Sequence, residues 1–188
     1  MRQVTDNRRK IICNEPGDVW FFAYGSLMWN PGFTPKKIQK ALLEGWHRCF
    51  CVASLIYRGT PKQPGLSLGL DVGGQCRGLA LCISEADREE VFDYLVRREM
   101  PEEIYSCVPV SVCIGGSLVN AYTLIVNHDH KLYVGEMTLE DVASTIAQGH
   151  GRNGSNRDYL ISTVKSLNSL GIEDEELTLL LNRVNELS

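Results

Sequence analysis

The feature that most constrains the fold is the separation of predicted strands from predicted helices along the chain. Short apolar segments interrupted by glycine and proline dominate the first half, and helical patterns dominate roughly the last 50 residues. Regular alternation of strands and helices would instead favour a parallel sheet. The arrangement therefore predicts an α+β fold.

Glycine pairs and capping side chains predict where the elements turn and begin. The pairs at 73–74 and 115–116 each separate two apolar segments, which is typical of hairpins. The predicted strands cover 20–24, 45–57, 66–83 (as two strands), 105–114 and 117–127. Helices are predicted after the capping residues Ser84, Thr138 and Ser155, and from Glu173 onward.

The length of 188 residues suits one domain. A domain of this size buries roughly 70% of the surface that its unfolded chain exposes, so it needs no metal or disulfide to fold. We expect a single domain over residues 1–188, with residues 1–17 as a loosely packed N-terminal arm.

Charge and composition exclude several partners. The formal net charge is −4, which argues against nucleic acid, and the short basic cluster at 8–10 does not outweigh it. The sequence contains no stretch of 18 apolar residues, so no membrane span is predicted. Seven cysteines without a C-x-x-C pair are typical of a reducing compartment, so we expect a soluble cytoplasmic protein. The four histidines lack metal-ligand spacing, which predicts no metal site.

The segment FFAYGSLMWNPGF, residues 21–33, is the strongest local signal. A strand that ends in Tyr24, Gly25, Ser26 and Leu27 can turn so that several backbone N–H groups point outward and bind an anion. Glycine also lets a ligand approach the backbone closely. The residues alone leave an ordinary tight turn as the alternative.

Glu99 is the second candidate functional residue. It follows two arginines in YLVRREM, at the predicted end of a helix. A surface ion pair is the alternative interpretation. Tyr105 lies just downstream, with a hydroxyl group that can bind a polar ligand.

The loop RGTPKQPG, residues 58–65, is a candidate lid because its prolines and glycines predict irregular backbone. The planar guanidinium group of Arg58 can bind a carboxylate through two hydrogen bonds. A solvent-facing surface arginine is the alternative.

These segments together resemble the ChaC family of glutathione-specific γ-glutamylcyclotransferases. The resemblance spans roughly residues 18 to 172. The motifs that carry it are YGSLMWNPGF, GWHRCFCVASLIYRGTPKQPG, YLVRREM with Tyr105, and YVGEMTLEDVASTIAQGHG followed by GSNRDYL.

The resemblance implies a small mixed β-barrel with surrounding helices and no cofactor. It also implies cleavage of glutathione into 5-oxoproline and cysteinylglycine by a lyase reaction, with Glu99 as the catalytic carboxylate. Backbone amides at 24–27 would then bind substrate, with Arg58 and Tyr105 as further substrate-binding candidates. The oligomeric state is left open.

Several positions depart from the family pattern. Tyr57, Lys62, Leu66 and Arg77 stand where the family often has histidine, an acidic residue, arginine and an aromatic residue. These changes lie in or beside the 58–65 loop and bear on substrate preference. Two alternatives therefore stand: a cyclotransferase for other γ-glutamyl amino acids or γ-glutamylamines, and a non-catalytic binding or regulatory protein.

Overall fold

The computed structural model describes residues 15–100, 103–135 and 137–187. They form a closed five-stranded barrel, a two-stranded sheet and four α-helices. The strands are β1 (Val19–Ala23), β2 (Lys37–Ser54), β3 (Gly65–Ile83), β4 (Tyr105–Ile114), β5 (Ser117–Val126), β6 (His150–Gly151) and β7 (Gly154–Ser155). The helices are α1 (Arg88–Glu99), α2 (Leu139–Gln148), α3 (Asn156–Ser169) and α4 (Glu175–Glu186). This architecture confirms the predicted α+β class.

The barrel has the strand order β1-β3-β2-β4-β5. Its β1–β5 pair is parallel and is joined through Phe21 and Tyr122, whereas β1–β3, β2–β4 and β4–β5 are antiparallel. The barrel is therefore mixed, as predicted.

Two strand predictions were wrong. The segment 66–83 is one continuous strand rather than a hairpin, because Gly73 and Gly74 adopt φ values of 104° and 66° within the strand without reversing it. Strand β2 starts at Lys37 rather than Gly45, because its first four side chains are exposed and leave no apolar run in the sequence.

The other turn and cap predictions were largely confirmed. Strands β4 and β5 form a hairpin in which Ile114 pairs with Ser117 across Gly115-Gly116. The side chains of Thr138 and Ser155 accept backbone hydrogen bonds at the starts of α2 and α3. Helix α1 begins at Arg88 rather than just after Ser84.

The chain divides into two compact units. The first contains residues 15–47 and 70–127, and the second contains residues 48–69 and 128–187, each with the gaps given above. In the first unit, Phe92 of α1 makes edge-to-face contacts with Phe21 and Tyr122, at centroid distances of 6.2 and 6.1 Å. In the second, Phe50 packs edge-to-face on Tyr159 at 5.9 Å.

Most of the predicted N-terminal arm, residues 1–14 with the basic cluster, lies outside the described residues. Two of its last three residues, Glu15 and Gly17, are hydrogen-bonded to other residues of the first unit. Buried Arg88 donates hydrogen bonds to the carbonyl oxygens of Glu15 and Gly17, and the Tyr122 hydroxyl donates to the Glu15 carboxylate. Among the described residues, no helix has the length and apolar character that crossing a membrane requires.

Candidate active site

The chain leaves the barrel after β1 through a short 3₁₀ turn, Ser26–Met28. The Met28 N–H donates to the Gly25 carbonyl at 2.9 Å, and the Asn30 N–H donates to the Ser26 carbonyl at 2.9 Å. Tyr24 and Leu27 are buried, which anchors the turn on the barrel, while Gly25 and Ser26 are half-buried.

The backbone donors of this turn are only partly used. Within the described ranges, no hydrogen-bond acceptor is found for the N–H groups of Gly25, Ser26 and Leu27. Such unpaired donors are expected at the first residues of any helical turn. They are the groups that the sequence predicts as an anion-binding site.

Glu99 is the last residue of α1. Its side chain is 21% exposed. One carboxylate oxygen, Oε1, is buried without a hydrogen-bond partner among the residues described. It lies 2.8 Å from Nε of Arg98 as an ion pair. The predicted surface ion pair thus has a buried oxygen, which is unusual for a carboxylate.

The pKa of Glu99 reflects two opposing effects. Burial raises the pKa above the ordinary value of glutamate, because a charged carboxylate loses hydration. The positive charge of Arg98 opposes this shift. The net effect is a raised pKa, which makes it easier for the carboxylate to take up a proton and so suits a general acid/base.

Arg98 connects Glu99 to the 24–30 turn. Its Nη2 donates to the Ser26 hydroxyl at 3.0 Å, and its Nη1 donates to the Asn30 carbonyl at 2.6 Å and to the Tyr94 hydroxyl at 2.9 Å. One guanidinium group therefore contacts two residues of the turn, the preceding helical turn and the Glu99 carboxylate.

Tyr94 packs against the same turn. Gly32 adopts a φ of +77°, and a Cβ at this position would overlap the Tyr94 ring, at 2.7 Å from Cε1. The absence of a side chain on Gly32 thus lets the chain lie against α1 where Arg98 is anchored.

The structure brings Ser26 and Glu99, two predicted site residues, onto one guanidinium group. Tyr105 also belongs to the first unit, where it opens β4, pairs with Val126 and is half-buried.

Arg58 belongs to the second unit. Its Nη1 donates to the carbonyl oxygens of Asn153, at 2.6 Å, and Ser155, at 3.5 Å. Its guanidinium carbon lies 4.7 Å from the centre of the Tyr159 ring. Burial lowers the pKa of this guanidinium, with Tyr159 and Asp158 acting in the opposite direction. Its Nε and Nη2 groups donate to no described residue.

Hydrogen bonds anchor the chain on both sides of the 58–65 loop that contains Arg58. The N–H groups of Arg152 and Asn153 donate to the carbonyl oxygens of Ile56 and Tyr57, at 2.8 and 3.0 Å. The side chain of Asn156, fully buried, accepts from the Leu66 N–H at 2.5 Å and donates to its carbonyl at 2.8 Å.

Sequence reasoning missed one functional candidate, Arg98, and one structural contact, that of Asn156 with Leu66. Arg98 is indistinguishable from Arg97 in the sequence, and only its position on α1 directs it toward the turn. Asn156 follows the predicted cap Ser155. Its hydrogen-bond partner, Leu66, is 90 positions away in the sequence, so no local sequence pattern predicts the contact.

Comparisons with known proteins identify the family of the chain. A family model described as ChaC-like protein matches residues 19–187. The chain is 37% identical to the glutathione-specific gamma-glutamylcyclotransferase of Escherichia coli (strain K12), a match that covers 92% of this chain and 75% of that protein. It is 32% identical to gamma-glutamylcyclotransferase 2-3 of Arabidopsis thaliana, covering 90% and 89%.

A crystal structure of a yeast gamma-glutamyl cyclotransferase specific to glutathione has the same fold. Its TM-score is 0.83 at 24% identity, and the match covers 90% of this chain and 96% of that one. The family model extends over both compact units and over every candidate site residue. The chain therefore belongs to the ChaC-like protein family.

Proposed function

We propose that this protein is a lyase, a γ-glutamylcyclotransferase that cleaves glutathione into 5-oxo-L-proline and L-cysteinylglycine. The observation that carries the proposal is the half-buried Glu99 carboxylate, linked through one guanidinium group to the 24–30 turn. The Escherichia coli relative, named as a glutathione-specific gamma-glutamylcyclotransferase, supports glutathione as the substrate. The Arabidopsis thaliana relative, named as a gamma-glutamylcyclotransferase, supports the type of reaction.

In the proposed reaction the substrate supplies its own nucleophile. The α-amine of the γ-glutamyl group forms a bond to the γ-carbonyl carbon and closes a five-membered ring, and the bond to the cysteinyl nitrogen breaks. The ammonium charge lost at the first nitrogen is regained at the second, so the atoms balance without a co-substrate.

Glu99 moves the protons in this proposal. Its carboxylate takes a proton from the substrate ammonium, which frees the lone pair for attack, and returns that proton to the leaving nitrogen. On ring closure the attacking nitrogen loses a second proton and the leaving nitrogen gains a second one, so that cysteinylglycine leaves with the ammonium charge. General acid/base transfer of this kind typically contributes about 10²–10⁴-fold in rate. Correct orientation of amine and carbonyl contributes further, because it replaces a search among conformers.

The remaining candidates bind the substrate. The N–H groups at 24–27 would hold either the α-carboxylate or the developing oxyanion, and loss of one oxyanion donor typically costs about 10²–10³-fold in rate. Tyr105 would donate a hydrogen bond to a polar substrate group. Arg58 would bind a substrate carboxylate through Nε and Nη2.

The role of Arg58 predicts a specific kinetic change. Arg58→Ala should raise KM more than it lowers kcat, because a carboxylate contact is made equally in the ground and transition states. Steady-state kinetics with glutathione measure this, with Lys165→Ala, an exposed position of α3, as the control. A fall in kcat at unchanged KM would contradict the binding role.

The raised pKa of Glu99 predicts the pH dependence of activity. The reaction needs the carboxylate form, so kcat/KM should fall with decreasing pH around a midpoint above the ordinary glutamate pKa.

The contribution of Glu99 to the free energy of unfolding should depend on pH in the opposite direction, rising as pH decreases. A raised folded-state pKa favours the protonated folded form, so this stabilisation is present below the unfolded pKa and is lost as pH rises through the folded one.

Product analysis tests the proposal as a whole. Purified protein is incubated with glutathione or γ-Glu-Ala, and 5-oxoproline and the released amine product are quantified by mass spectrometry. Equimolar 5-oxoproline and cysteinylglycine are expected, with glutathione turned over faster. Faster turnover of γ-Glu-Ala would favour the broader γ-glutamyl specificity, and no product from either compound would favour a binding role.

The proposal includes a cytoplasmic location, since seven cysteines without disulfide-like spacing fit a reducing compartment. Glutathione is the proposed small-molecule partner.

A further inference from the structure

We propose that Arg98 is a positioning residue: its guanidinium group holds the Glu99 carboxylate at a fixed position relative to the 24–30 turn. This inference rests on the proposed function, because it assigns Arg98 a part in that reaction. It acts through Glu99 and the turn rather than through the substrate.

The contacts of Arg98 are directional and distributed over several parts of the first unit. Nη1 donates to Asn30 and Tyr94, Nη2 donates to Ser26, and Nε lies 2.8 Å from Oε1 of Glu99 as an ion pair. A guanidinium group is planar, so fixing Nη1 and Nη2 also fixes the position of Nε. The turn thereby determines where the positive charge next to Glu99 lies.

The hydrogen bonds of Arg98 to Tyr94 and Ser26 are partly buried, whereas that to Asn30 is exposed. The Arg98 side chain is 22% exposed, as little as that of Glu99 at 21%. The neighbouring Arg97 is exposed and has no ion pair or hydrogen bond to a described residue. Two adjacent arginines thus differ in environment, which gives the chain a matched control.

Precise placement has kinetic consequences. A displacement of about 1 Å in a catalytic group can cost about 10²-fold in rate. Arg98 is also the charged group among the described residues that acts on the Glu99 carboxylate. Removing it should therefore both loosen Glu99 and weaken its ionisation.

The experiment compares Arg98→Ala, Arg98→Lys and Arg97→Ala by steady-state kinetics with glutathione and by pH profiles of kcat/KM. Arg98→Ala should lower kcat by about 10- to 100-fold and move the acid limb to higher pH. Arg98→Lys should leave the acid limb near that of wild type, because the charge remains, yet lower kcat since lysine lacks the planar fork. Arg97→Ala should match wild type.

A double-mutant cycle with Glu99→Gln tests whether Arg98 acts through Glu99. In the Glu99→Gln background, Arg98→Ala should cost far less in kcat than in wild type. Equal costs in the two backgrounds, or an Arg98→Lys variant with wild-type kcat, would overturn the positioning role. If Arg98→Ala does not fold, the same comparison is made with Arg98→Lys alone and with the double variant of Arg98→Lys and Glu99→Gln.

The outcome separates this inference from the proposed function. Wild-type protein that forms no cyclised product from any γ-glutamyl compound would defeat the proposed function itself. An active wild type whose Arg98 variants behave like Arg97→Ala would defeat the positioning role and leave the proposed function intact.

Discussion

Glu99→Gln should lower turnover of glutathione by about 10²-fold or more. Glutamine keeps the size and reach of the side chain but cannot accept and return a proton. Steady-state kinetics and thermal melting measure the two consequences separately. Affinity for glutathione and the melting temperature should stay close to those of wild type, because only the chemical step is affected.

The matched control is Glu90→Gln, an exposed carboxylate on the same helix. It should leave kcat unchanged. If Glu99 were only an ion-pair partner of Arg98, Glu99→Gln would instead cost about 1 kcal/mol of stability and spare kcat. A kcat for Glu99→Gln within about threefold of wild type would therefore remove the catalytic assignment.

Gly59→Ala should destabilise the second unit strongly. A Cβ on Gly59 would overlap the backbone nitrogen of Gly65 and lie 2.5 Å from the Pro64 carbonyl carbon and 2.7 Å from the Gln63 carbonyl oxygen. All three are backbone atoms, so they cannot rotate away as a side chain can. We expect a loss of roughly 3 kcal/mol and a melting temperature lower by about 6 to 12 °C.

Thermal melting followed by circular dichroism measures this effect. Lys62→Ala, an exposed position of the same loop, should change the melting temperature little. If Gly59→Ala melts like wild type, the 58–65 loop can relax around a methyl group. The close contact of Gly59 with the backbone of residues 63–65 would then not constrain the loop, which would favour the lid predicted from the sequence.

Local sequence patterns predicted the features that depend on neighbouring residues. The Gly115-Gly116 hairpin and the caps at Thr138 and Ser155 were confirmed, because turn and cap chemistry involves only residues a few positions apart. The separation of strand and helix patterns likewise predicted the α+β class correctly.

Tertiary structure decided what local pattern could not. The glycine pair at 73–74 resembles a hairpin turn in the sequence, yet β3 continues through it. Barrel closure sets the course of that strand through pairing with distant residues, such as Leu81 with Phe21 of β1. A glycine pair therefore indicates that the backbone can form a hairpin turn, and long-range strand pairing determines whether it does.

The candidate site shows the same division. The sequence alone pointed to Glu99 and to the turn at 24–27, and it presented Arg97 and Arg98 as equivalent cations beside the carboxylate. Successive residues on a helix point about 100° apart, so only one of the two can face the turn. Packing of α1 on the first unit selected Arg98, which contacts Ser26 and Asn30 while Arg97 faces solvent.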